Sequence, residues 1–148
     1  MSQYVIVEQM AGPTGSDLFI VKNLKSGKLF SLSSIDQVNA AERHLVQNEV
    51  NLIESIESQN IVQCVDLFDH DRTLYIINEC LGPMTQIVAK GHTRYSEDFC
   101  RYTLYRVTRA LSEIHARGIV YGDVCAANVM CNETGTVKLA NLSTAVAL

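Results

Sequence analysis

Near the C-terminal end the chain reads Val120-Tyr121-Gly122-Asp123-Val124-Cys125-Ala126-Ala127-Asn128-Val129-Met130. A carboxylate stands five residues ahead of a carboxamide, with short apolar runs on both sides. An acid that accepts a proton and an amide oxygen that holds a metal are two of the parts a phosphoryl-transfer site needs. The pair is also the kind that merely shapes a loop, since a carboxylate readily accepts backbone N–H groups. Which of the two it is depends on what the rest of the chain brings to it.

The other residue types that do chemistry are sparse. The five cysteines, Cys64, Cys80, Cys100, Cys125 and Cys131, are odd in number and widely spaced, without a CxxC pair. They form no disulfide framework, point to a reducing compartment and read as small buried hydrophobes. A zinc site built from them with His44, His70, His92 and His115 would need paired ligand spacing that is missing. A net charge of −4 argues against a nucleic-acid surface. At 148 residues, 47% hydrophobic and 19% charged, the chain has enough apolar content for one core. No apolar run reaches the roughly 20 residues of a membrane span, and Met1-Ser2-Gln3-Tyr4 opens no signal peptide.

The elements that must position these residues follow from periodicity. Strands are predicted at Tyr4–Val7, Leu18–Val21 and Lys28–Leu32, around a turn-rich loop at 11–17 and a Ser26-Gly27 turn. From about residue 37 to 57 the period becomes helical, with Val38, Ala41, Leu45, Glu49, Ile53 and Ile56 on one stripe. Glu49 is the one charge within it. Two strands, Ile61–Phe68 and Thr73–Ile77, come next. A second helix is predicted over Ser96–Arg117, capped by Ser96, with Glu97 and Asp98 at its positive end and Gly118 as its stop. Its buried face is Phe99, Thr103, Val107, Ala110, Leu111 and Ile114. Short strands around Val129–Cys131 and Thr136–Leu139 close an α+β arrangement.

This order, with Asn48-Glu49-Val50, LYIINECLGPMTQIV, ALSEIHARGIV, YGDVCAANVM and GTVKLANLS in sequence, resembles the eukaryotic protein kinase fold, the Ste-group serine/threonine kinases most closely. The resemblance implies a single kinase-like domain: an upper lobe over 1–78 with an antiparallel sheet and one helix, a hinge at 79–83, and a partial lower lobe over 84–148. It also implies which positions should carry chemistry. The glycine slots of a phosphate-covering loop hold Ala11, Pro13 and Ser16, and Pro13 removes a backbone donor. The slot of the phosphate-binding lysine is Ser33, and its helix partner is Glu49. Asn141, in Asn141-Leu142-Ser143, stands where a magnesium-binding aspartate is expected. Asp123 and Asn128 fill the base and second metal positions, and Cys125 replaces the lysine between them.

Positioning and charge neutralisation carry phosphoryl transfer, so these losses act together on one step. The resemblance therefore implies a pseudokinase, with no catalytic residue, no metal and no cofactor. The walls of a nucleotide cleft are expected to persist as Leu18, Ser31 and Met130, with Asn78 at the gatekeeper slot and Glu79-Cys80-Leu81 as hinge. Ile53, Cys64, Tyr121 and Leu142 match the four side chains that stack across the two lobes of an active kinase.

The chain stops just past the Asn141 triplet, which implies apolar residues such as Val124, Val129 and part of the Phe99–Ile114 stripe facing water. The function expected is a non-catalytic interaction or structural subunit. Its partner is another protein, a large assembly or a second copy, in an intracellular, cytoplasmic or cytoskeletal setting. Two alternatives remain open. One is an atypical kinase that uses Asp123 with a relocated Lys22 or Lys28, and the other is an allosteric regulator of an active kinase.

Overall fold

A computed structural model of the chain describes residues 3–11, 17–36, 39–84, 96–132 and 134–148. The expected loop positions Pro13 and Ser16, and Val38 of the helical stripe, lie outside these residues.

Five strands form one antiparallel sheet in the order β1-β2-β3-β5-β4. They are β1 (Tyr4–Ala11), β2 (Asp17–Asn23), β3 (Leu29–Ile35), β4 (Cys64–His70) and β5 (Thr73–Glu79). Their alternation gives the sheet two apolar faces. Met10, Leu18 and Ile20 join Val62, Leu81, Val107 and Met130 in a core shared with the elements below. Val21, Leu32 and Ile77 form the heart of the opposite face, with Tyr4, Phe19, Phe30, Phe68 and Tyr75 packed on them. The Phe68 and Tyr75 rings stack there at 5.3 Å.

Helix α1 (Ala40–Ile56) starts on a reciprocal capping box: the Asn39 side chain accepts from the Glu42 N–H, and the Asn39 N–H donates to the Glu42 carboxylate, both at 2.9 Å. Such a cap is worth about 1 kcal/mol. The helix begins later than its stripe implied, and Leu45 is exposed. Only the second half, through Val50, Ile53 and Ile56, reaches the core. The first half lies against the sheet edge and is held to β4 by the Arg43–Asp69 ion pair.

Helix α2 (Glu97–His115) follows its sequence pattern closely. The Ser96 hydroxyl accepts from the Phe99 N–H at 3.1 Å, and Thr103, Val107, Ala110 and Ile114 are buried. Below it a three-stranded sheet runs β6-β8-β9 (Gly82–Pro83, Val129–Cys131, Val137–Leu139), and β7 (Ile119–Val120) pairs with β10 (Val146–Ala147). The upper sheet is sewn to this lower part by main chain: Leu139 N donates to Asn60 O at 2.8 Å and Val62 N to Leu139 O at 2.9 Å. Side chains add to that seam. Glu113 on α2 accepts from Asn60 Nδ2 at 2.8 Å and from the Ser58 hydroxyl, and Arg117 Nη2 donates to Ile56 O at 2.9 Å.

Three expectations about exposure change here. Val129 is buried rather than solvent-facing, because β8 is the central strand of its sheet. The Phe99–Ile114 stripe is buried or half-buried, and the apolar side chains left exposed on α2 are Tyr102, Leu104 and Tyr105, from outside that stripe. Val124 is exposed as expected. Of the cysteines, Cys131 is buried and Cys64 and Cys80 are half-buried, whereas Cys100 and Cys125 are exposed.

Candidate functional site

The sheet, α1 and the loops below it enclose a cleft of about 380 Å³. Each wall follows from the register. Ser33 pairs with Leu18 on one side and Ile76 on the other, so β3 sits between β2 and β5. Ser31 lies two residues back, opposite Asn78. The floor is Met130, Ala140, Asn141 and Ser143, and the side wall is α1 with Glu49 and Ile53. Leu18, Ser31, Ser33, Asn78, Met130, Glu49 and Asn141 thus line one space. Glu79, Cys80 and Leu81 do not line it.

Glu49 is the charged group of this lining. Its Oε1 accepts the Leu142 backbone N–H at 2.6 Å, which joins α1 to the segment after β9. Burial pushes its carboxyl above the ordinary range, and the Leu142 hydrogen bond only partly offsets that. No lysine, arginine or histidine is among the described residues around the cleft. Lys22 and Lys28 are exposed and outside it. The Cys64 thiol, also in the wall, is pushed up by burial and stays neutral.

Below the cleft runs a chain of polar contacts. Asn128, almost fully buried, donates through Nδ2 to Asp123 Oδ2 at 2.8 Å and to Asp123 O at 3.0 Å. Its Oδ1 accepts from Asn141 Nδ2 at 3.2 Å, and Asn141 Oδ1 accepts from the Ser143 hydroxyl at 2.6 Å. Asp123, Asn128 and Asn141 are therefore brought together by these hydrogen bonds. Asn141 takes φ +60°, a left-handed conformation that asparagine tolerates better than most residues. Cys125 is exposed and outside this network. Gly122, at φ +87°, has room for no side chain: a Cβ would lie 2.8 Å from Thr144 O. Among the described residues no group of three or more His, Cys, Asp or Glu side chains could hold a metal.

Ile53, Tyr121 and Leu142 pack in one core cluster, and the half-buried Cys64 lines the cleft beside Ile53. The Tyr121 hydroxyl donates to Ala140 O, and burial, reinforced by Asp123, raises its pKa well above the usual phenol range.

Three contacts went unread in the sequence. The Ser31 hydroxyl donates to Glu79 O at 3.1 Å. The Glu79 carboxylate turns from the cleft to bind Lys138 Nζ at 2.6 and 2.7 Å, and accepts the Gln63 N–H at 2.9 Å. Partners this far apart along the chain leave no local pattern.

An antiparallel sheet with one helix at its edge, set over a second helix and a loop holding Asp123 and Asn128, is the architecture of a protein kinase domain. The chain belongs to that family: the model described as "Protein kinase domain" matches residues 5–148. It is similar to the human serine/threonine-protein kinase PAK 4, with 30% identity over 118 residues covering 78% of this chain and 20% of that protein. Smooth-muscle myosin light chain kinase of Gallus gallus is 25% identical over 140 residues, 92% of this chain and 7% of that protein. A probable serine/threonine-protein kinase of Dictyostelium discoideum is 24% identical over 149 residues, 98% of this chain and 30% of that protein. The chain thus spans less than a third of the length of each of these relatives.

Proposed function

We propose that this kinase-family chain is a pseudokinase, Ste-group-like, that works through its surfaces as an interaction or structural subunit. The reading takes residues 1–78 as upper lobe, 79–83 as hinge and 84–148 as partial lower lobe. One observation carries it: among the described residues Glu49, the ionisable acid in the cleft wall, faces no cation and instead accepts the Leu142 N–H. With Ser33 at the lysine position, no described residue of that wall offsets phosphate charge. Asn141 is neutral and already hydrogen-bonded to Asn128 and Ser143, so it is a poor magnesium ligand. Asp123 in turn serves as acceptor for Asn128, a loop-shaping role.

Both relocated lysines of the atypical-kinase alternative are exposed and away from the cleft, which weighs against it. The exposed Tyr102, Leu104 and Tyr105 on α2 support a surface role. The partner we expect is another protein or an assembly, within the cell.

The test is incubation of the purified chain with labelled ATP and magnesium, alone and with a generic protein substrate. No transfer above that of an Asp123→Ala control is expected. Transfer that disappears in that variant would overturn the reading.

A further inference from the structure

Among the described residues the cleft carries a negative group and no positive one, which bears on the ligand it would select. Glu49 lies in its side wall with Oε1 engaged by Leu142 N; no partner among the described residues is recorded for Oε2. Ser33, a short side chain at the position where the resemblance implies a lysine, lines the same cleft. The rest of the wall near this carboxylate is apolar or neutral: Val50, Ile53, Ile76 and Met130, with the Cys64 thiol. Behind the floor, Asp123 adds a second negative group, held through Asn128 and Asn141.

Among the described residues, a triphosphate entering this space meets a carboxylate and no cation. A single positive charge on an apolar stem meets a half-buried counter-ion, where the attraction is stronger than in bulk water. Such a cation also relieves the cost of keeping Glu49 charged while buried.

We propose that the cleft binds a small organic cation, a primary ammonium on an apolar stem, with Glu49 as its counter-ion and the space above Ser33 as its seat. The proposal rests on the inactive reading above, since a cleft that held magnesium and triphosphate would be occupied otherwise.

The full chain is titrated in parallel with 4-phenylbutylammonium, the isosteric neutral 4-phenylbutanol, and ATP with magnesium, by calorimetry or ligand-observed NMR. The ammonium is expected to bind at least about tenfold more tightly than the alcohol. Glu49→Gln keeps an acceptor for the Leu142 N–H and should bring the two ligands to equal affinity. Ser33→Lys places the chain's own ammonium in the seat and should abolish binding of the added one. Equal affinities in the unaltered chain, or a preference that survives Glu49→Gln, overturn the proposal while leaving the inactive reading standing. Micromolar binding of ATP with magnesium overturns both.

Discussion

Glu49 is where the chemistry of single residues decides most. Burial raises its carboxyl above the ordinary 4.5 in the folded chain. The folded state then holds the proton more tightly than the unfolded state does, so this group's contribution to stability falls as pH rises from 4.5 through the folded value. Glu49→Gln removes that fall and keeps an oxygen for Leu142 N–H. Thermal unfolding should show the variant melting higher than the unaltered chain at pH 7, with the gap closing towards pH 4. A gap of constant size across that range would contradict the assignment. Asn128 works differently, because its amide is satisfied on both ends by Asp123 and Asn141. Within this polar chain each side chain is another's partner.

At the scale of elements, the connection between the upper sheet and the lower part rests on few contacts of high sequence separation. Lys138 on β9 reaches Glu79 at the end of β5, with side-chain exposures of 12% and 29%. Removing one partner strands the other in a half-dry place. Lys138→Met alone should cost about 1–3 kcal/mol in urea unfolding, whereas Lys138→Met with Glu79→Leu should recover part of that loss. Additive losses in that double-mutant cycle would show the pair to be uncoupled.

The same contacts show what sequence reading reaches. Helix α2 was readable because its cap, its stripe and Gly118 are all local and agree. Leu45 of α1 was misread, because amphipathic spacing tells which face a helix can bury but not how far a sheet extends alongside it. The two-residue strands β6, β7 and β10 carry no periodicity at all. In the cleft, Leu18, Ser31, Asn78 and Met130 line one space, whereas Glu79, Cys80 and Leu81 do not. Their hydrogen-bond partners were missed, since Ser31 and Glu79 are 48 residues apart and Glu79 and Lys138 are 59 apart.

For the whole molecule, the question is what meets the outer side of α2. Leu104 and Tyr105 are 67% and 60% exposed, and Tyr102 beside them has the Arg106 guanidinium 6.0 Å from its ring centre. A chain that works through its surfaces should show it here. Sedimentation velocity over a range of concentrations is expected to reveal association that weakens in Leu104→Glu with Tyr105→Glu. Because both side chains already face water, unfolding free energy should change by no more than about 0.5 kcal/mol per site. Ideal monomer behaviour at every concentration would count against self-association. Among the described residues no helix is long and apolar enough to cross a membrane, so this apolar side chain group belongs to no spanning segment.

The Ser31 hydroxyl on Glu79 O has its own bearing on how the cleft would answer a compound library. Flat heterocycles chosen to dock by donating to that carbonyl would find it outside the cleft lining and already bonded to Ser31. Hits from such a collection should be few, and those that succeed should anchor deeper, near α1.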